Sequence, residues 1–217
     1  MKSCVLKNGA ILALAVAAVA AQAQTALAPG GTVLTPVLPG FPDNYVSLDF
    51  SQTPFTGVNA LGETRFTGNL QSYVFRNTVD NTLGFAWIVT NDATSTSSLE
   101  ALGLTGYQGF STSVAQDPVG LGGGTNSFAA SRDALGDVVS FSWLNTPLGS
   151  GTIVPGTFSS PQWIFTNATS YTIGSANLID GAVATVPTFA PKAVPEPASM
   201  AALGLGAIGI LRRRKKA

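Results

Sequence analysis

The sequence predicts an all-β protein: a single β-sandwich-like domain over residues 43–190, with an N-terminal signal peptide helix before it and a short C-terminal membrane helix after it. Three observations predict this. Aromatic and branched residues recur at alternate positions in several short runs, the period of a half-buried strand. Clusters of Gly, Pro, Asn and Asp interrupt those runs at short intervals, where turns are needed. No stretch of the body carries a 3.6-residue apolar stripe with capping residues at its ends. Together they point to about eight to ten strands in a two-sheet sandwich, with a barrel as the other architecture that fits.

Residues 1–23 read as a secretory signal peptide. Lys2 and Lys7 form a positive n-region and residues 10–20 an apolar h-region. Ala21-Gln22-Ala23 gives the small-x-small pattern that places the cut between Ala23 and Gln24. Ala26-Leu27-Ala28 offers the pattern again, but Pro29 would follow that cut. Cys4 precedes the h-region and leaves with the peptide. Residues 24–42 hold Pro29, Pro36, Pro39 and Pro42 and read as an irregular lead-in, with one edge strand over 32–38.

From Tyr45 strand chemistry takes over. Residues 45–50 alternate; residues 71–76 put Tyr73 and Phe75 on one face; residues 83–90 put Leu83, Phe85, Trp87 and Val89 on one face. Asp80-Asn81 between the last two runs predicts a hairpin turn. Residues 109–114 are the next strand candidate, followed by 137–144, where Val139, Phe141 and Trp143 alternate with Ser140 and Ser142. Residues 161–166 and 170–174 predict a late strand pair, and 177–186 a last strand. Residues 99–104 suit one helical turn, which Gly103 and Gly106 disfavour.

Composition narrows the chemistry. The chain has no His, and its one Cys is Cys4, so the exported body holds neither type. Disulfides, thiolate or imidazole nucleophiles and the common zinc sites are excluded there. The body must rely on its hydrophobic core, which a chain of this length can build. The formal net charge of zero hides an asymmetry. Between residues 24 and 194 ten acidic residues face four basic ones, a net −6, and the remaining positive charge sits at the two termini. An acidic body lacks the basic footprint of nucleic-acid binding. It also disfavours anionic lipid or acidic polysaccharide, unless divalent cations bridge.

The C-terminus reads in three abutting parts. Residues 191–197 form a linker ending in Val194, Pro195, Glu196 and Pro197. Residues 198–211 are apolar and uncharged, and Arg212, Arg213, Arg214, Lys215 and Lys216 follow in the closing stretch, 212–217. The prolines bar a helix from starting before Pro197. The apolar run then spans about 21 Å at 1.5 Å per residue, short of the ~30 Å hydrocarbon core. Snorkelling Arg and Lys side chains add reach, and the cations suit the cytoplasmic side of a membrane.

This arrangement resembles the PEP-CTERM sorting signal of bacterial envelope proteins. The resemblance rests on Val194-Pro195-Glu196-Pro197-Ala198-Ser199, the apolar run and the Arg-Arg-Arg-Lys-Lys end. It implies transient membrane anchoring, recognition by an exosortase-type sorting enzyme, and passage through the secretion translocon and signal peptidase. It further implies an envelope or extracellular location and a link to exopolysaccharide and biofilm. The catalytic residues of sorting belong to the enzyme, not to this chain.

Other motifs read more plainly. Gly204-Leu205-Gly206-Ala207-Ile208-Gly209 spells a dinucleotide fingerprint but lies in the apolar run, without the strand and βαβ unit it needs. Residues 120–125 lack a phosphate-loop lysine. Asp133 and Asp137 flank a turn and lack calcium-loop spacing. Trp87, Trp143 and Trp163 share faces with apolar strand partners, which favours core packing over sugar stacking. Asn167-Ala168-Thr169 reads as a turn. No cofactor or metal site emerges, and the body is expected to be a non-enzymatic structural or adhesive module, with polysaccharide binding and then hydrolysis as the alternatives.

Overall fold

The computed structural model describes residues 24–118, 124–144 and 151–193, and these are all-β. The expected signal peptide helix (1–23) and membrane helix (198–211) lie outside the described residues. Twelve strands follow in order: β1 (Thr25–Ala26), β2 (Thr32–Leu34), β3 (Tyr45–Val58), β4 (Thr64–Asn77), β5 (Leu83–Asn91), β6 (Ala101–Leu104), β7 (Thr112–Gln116), β8 (Ala129–Arg132), β9 (Val139–Ser142), β10 (Gln162–Thr166), β11 (Ser170–Ile179) and β12 (Val183–Lys192).

The strands do not form two separate sheets. They make one sheet, in the order β1-β7-β10-β5-β4-β3-β12-β11-β6-β9-β8-β2, with every strand ladder antiparallel. The sheet curls to near closure, so the sandwich expectation gives way to a barrel-like sheet. The lead-in is the physical reason. Its strand β1 lies on β7 at one edge and its strand β2 on β8 at the other. Between and beyond them, Leu27 N donates to Thr112 O, Thr35 N to Phe128 O and Leu38 N to Gln116 O, so one segment bonds both edges. This removes most of the exposed strand edge that an open sheet would present. The thinnest seam lies between β3 and β12, which share the single ladder pair Val58↔Val183.

The sequence expectations hold for β3, β4 and β5, and β3 and β4 run further than the alternation indicated. The turn at Asp80-Asn81 is present: Asp80 Oδ1 accepts from Thr82 N at 3.0 Å, and Asn81 takes φ 66°. Other expectations are corrected. Residues 161–166 and 170–174 do not pair with each other; β10 joins β5 and β7, whereas β11 joins β12 and β6. The run 177–186 is split, because Asp180 and Ala182 exchange backbone hydrogen bonds in a turn between β11 and β12. Residues 101–104 form β6, since the sheet offers hydrogen-bond partners on both sides and a lone helical turn has none.

The sheet wraps a core in which Phe66, Leu70, Phe85, Trp87, Leu102, Val114, Phe141, Ile164 and Leu178 are fully buried. One polar tie crosses it: Trp87 Nε1 donates to Thr188 Oγ1 at 2.7 Å, and that oxygen lies 2.8 Å from Ser72 Oγ. Tyr107 is fully buried, and its hydroxyl has no partner among the described residues. Burial holds its phenol well above the ordinary value of 10.0. The unfolded chain therefore ionises first. Stability from this group is complete below about pH 10 and is lost as pH rises beyond it. Replacing Tyr107 by Phe removes an unsatisfied buried hydroxyl and is expected to add about 1 kcal/mol of stability. It also moves alkaline unfolding, followed by circular dichroism, to higher pH; a less stable variant would contradict this.

Candidate functional site

The sequence-predicted signal residues lie almost wholly outside the described residues. Ala21 and Ala23, Val194 to Pro197, and Arg212 to Lys216 are all in that position. Gln24 is described: Ser113 Oγ donates to its Oε1 at 3.0 Å. Immediately after it, β1 is laid on β7 and Leu27 is buried. A cut between Ala23 and Gln24 leaves this segment whole, whereas a cut before Pro29 would remove β1. At the other end the sheet stops at Lys192, whose carbonyl accepts from Ser170 Oγ at 3.0 Å.

The decoy motifs resolve into local structure. Asp133 Oδ1 accepts from Val138 N at 2.9 Å and Asp137 Oδ1 from Gly106 N at 3.2 Å, so both carboxylates hold loops. Asn167 Oδ1 accepts from Ser111 N at 3.0 Å, joining two loops. Among the described residues no three acidic, His or Cys groups gather where they could hold a metal. Trp87 and Trp143 belong to the main core. Trp163 is equally buried but sits on the opposite face of its strand.

That outer face is what the body offers as a site. Alternation on β4 and β10 sends Phe66, Leu70, Val74 and Ile164 inward and Tyr73, Phe75, Trp163 and Phe165 outward. The outward rings form a continuous row across β3, β4 and β10. Phe50 and Tyr73 have ring centres 4.9 Å apart, Tyr73 and Phe75 6.0 Å, Phe75 and Trp163 4.8 Å, and Trp163 and Phe165 5.5 Å. Phe41, from the loop before β3, leans edge-on over Phe75 and Trp163 at 5.2 and 5.6 Å while remaining 43% exposed. Beneath Phe41 lies a cavity of about 380 Å³, lined by Ser47, Tyr73, Phe75, Ala86, Asp117, Pro161 and Trp163. Further along β4 the rings give way to amides: Gln71 Nε2 donates to Gln52 Oε1, and Tyr73 OH to Gln71 Oε1, each at 3.3 Å. Burial raises the Tyr73 phenol above its ordinary value, which keeps it a neutral donor and acceptor.

Sequence reasoning identified Tyr73 and Phe75 as one face but did not join them to Trp163, Phe41 and Phe50. The available signal was β10 itself. Its Trp-Ile-Phe run, apolar at every position, marks a strand covered on both sides.

Fold and site together define an all-β body with an aromatic outer face, whose last strand ends at Lys192, shortly before the Pro-Glu-Pro residues. Residues 193–215 match the PEP-CTERM protein-sorting motif. The match begins one residue beyond the end of β12. The motif marks an exported, membrane-transiting protein that is sorted by an exosortase-type enzyme. Neither the curated proteins nor the solved structures contain a match to the chain.

Proposed function

We propose that the mature protein is a non-enzymatic component of the cell envelope or extracellular matrix, delivered there by its sorting tail and adhesive through its β body. The observation that carries this is the sorting motif at residues 193–215, placed directly after the last strand. The tail anchors the chain in the membrane while the sorting enzyme acts, and the body is then released to the envelope or beyond. A body without His or Cys suits adhesion better than nucleophilic chemistry.

A second reading, polysaccharide binding, is favoured by the exposed part of the outer row, Phe41 and Phe50 with half-buried Tyr73, the rings of Phe75, Trp163 and Phe165 being buried beside it. Aromatic faces flanked by side-chain amides combine apolar contact with hydrogen bonding, which is what a sugar ring requires. Affinity gel electrophoresis of the exported protein, in gels cast with total polysaccharide extracted from the producing cells, tests it. Retarded migration is expected; migration identical to that in a plain gel would contradict it.

A further inference from the structure

We propose that Pro54, Pro187 and Pro191 act as a lock that keeps β3 and β12 from zipping together, so that their seam is the line along which the sheet opens to water. Three observations carry it.

The first is register. Val58 and Val183 form the ladder pair across the seam, and the two strands run antiparallel. Four residues back along β3 and four forward along β12, that register sets Pro54 opposite Pro187. Eight residues from the pair it sets Phe50 opposite Pro191. Proline has no N–H to give to a ladder.

The second is the direction of the edge groups. Along an antiparallel strand, the N–H and C=O of successive residues point to opposite neighbours. Pro54 pairs with Asn69 on β4, and Pro187 and Pro191 pair with Ser175 and Tyr171 on β11. Those ladders stay whole when each proline turns its nitrogen away from that partner, toward the seam. Two neighbours agree with this direction. Val183 has the parity of Pro187 and Pro191 and pairs across the seam. Phe50 has the parity of Pro54, and its N–H donates to Asp49 Oδ1 at 2.8 Å. The position that would join Pro54 to Pro187 therefore has acceptors and no donor. The position of Phe50 and Pro191 has no donor left either, because Asp49 has taken the one from Phe50.

The third is what holds the strands near each other in place of a ladder. Asp49 follows the bulge in β3 and uses its other oxygen, Oδ2, to accept from Tyr171 OH on β11 at 2.9 Å. Thr188 of β12 is held from inside by Trp87 Nε1 and lies against Ser72 of β4. These ties are made by side chains, so the backbones along the seam can part without breaking a ladder. The Trp87 indole N–H is the buried group directly behind this line, in contact with β12 through Thr188.

The test compares the exported protein with its Pro54→Thr, Pro187→Thr and doubly substituted variants. Both prolines are exposed, and threonine restores an N–H while suiting a strand. Each single variant still meets a proline across the seam and loses the stiffness of its own, so its thermal midpoint is expected at or slightly below the parent's. The double variant is expected to melt about 2–4 °C above the parent. By NMR, the Thr56 and Thr185 amides and the Trp87 indole N–H are expected to exchange about tenfold more slowly in it, whereas the Trp143 indole, away from the seam, keeps its rate. Pro54→Thr combined with Pro191→Thr, a pair that the register does not oppose, is expected to show the sum of its single effects and no more. A doubly substituted Pro54/Pro187 variant that is merely additive, with those exchange rates unchanged, would overturn the lock. Equal slowing at Trp87 and Trp143 would overturn the opening line, since it reports a gain spread over the whole fold. Self-association of the double variant, read as a concentration-dependent mass in light scattering, would also overturn it, because the restored donors would then serve another chain and not the facing strand.

Discussion

Replacing Arg132 by alanine is expected to lower stability by about 3–5 kcal/mol, the scale of removing one member of a buried charged network. Arg132 sits at the end of β8 and is buried. Its Nε and Nη2 both donate to Gly136 O, at 3.0 and 2.7 Å. Nη2 also reaches Tyr107 O at 2.7 Å and Phe110 O at 2.9 Å, and Nη1 reaches Leu27 O at 3.3 Å and Thr112 Oγ1 at 3.1 Å. One guanidinium thus fastens the segment after β1, the β6–β7 loop and the β8–β9 turn, all at the place where the sheet closes. Burial lowers its pKa from the usual value, and nearby Asp133 opposes that shift. Alanine leaves those carbonyls buried without their donor. Lysine keeps the charge but lacks the planar fork, so Arg132→Lys should recover only part of the loss. Urea unfolding monitored by tryptophan fluorescence measures both. An alanine variant within about 1 kcal/mol of the parent would contradict the role given to this residue.

Gly68→Ala is expected to cost about 3 kcal/mol, the upper range for inserting a methyl group into a packed site. Gly68 lies on β4, paired with Phe55 on β3 and Asn91 on β5. A Cβ there would run into the Thr90 carbonyl oxygen and the Phe55 ring. The ring has little room to yield, because it packs edge-on against Phe66 at 5.9 Å. The carbonyl belongs to the neighbouring strand and moves only with the sheet. The same unfolding measurement applies, and a cost below about 1 kcal/mol would mean that β3 and β4 part more easily than their contacts indicate.

The central strands were legible in the sequence because they are amphipathic and long enough to show a period. Leu83, Phe85, Trp87 and Val89 mark β5 without ambiguity. Strand β8 was not legible: Ala129, Ala130 and Ser131 carry too little apolar contrast to reveal a period, and Arg132 at its end reads as a surface residue until its six hydrogen bonds are seen. Strand β1 escaped for a different reason. Two residues show no pattern, and only the neighbouring β7 gives them an extended partner. Strand pairing was equally hidden, since β10 and β11 are adjacent in sequence yet stand five positions apart in the sheet, a choice made by long-range packing. The aromatic face was half legible. Period two placed Tyr73 with Phe75, but joining them to Trp163 and Phe41 needed strands distant in sequence. The tail, by contrast, is a linear signal and was readable from its order of parts alone.

Whether the folded body stops at β12 and everything after it is a sorting signal is tested most directly by the intact mass of the exported protein. The comparison is between cells that possess the sorting enzyme and cells that lack it. The expected result is a mature form beginning at Gln24 that has lost C-terminal mass only where the enzyme is present. Identical masses from both sources, with residues 198–217 retained, would contradict it.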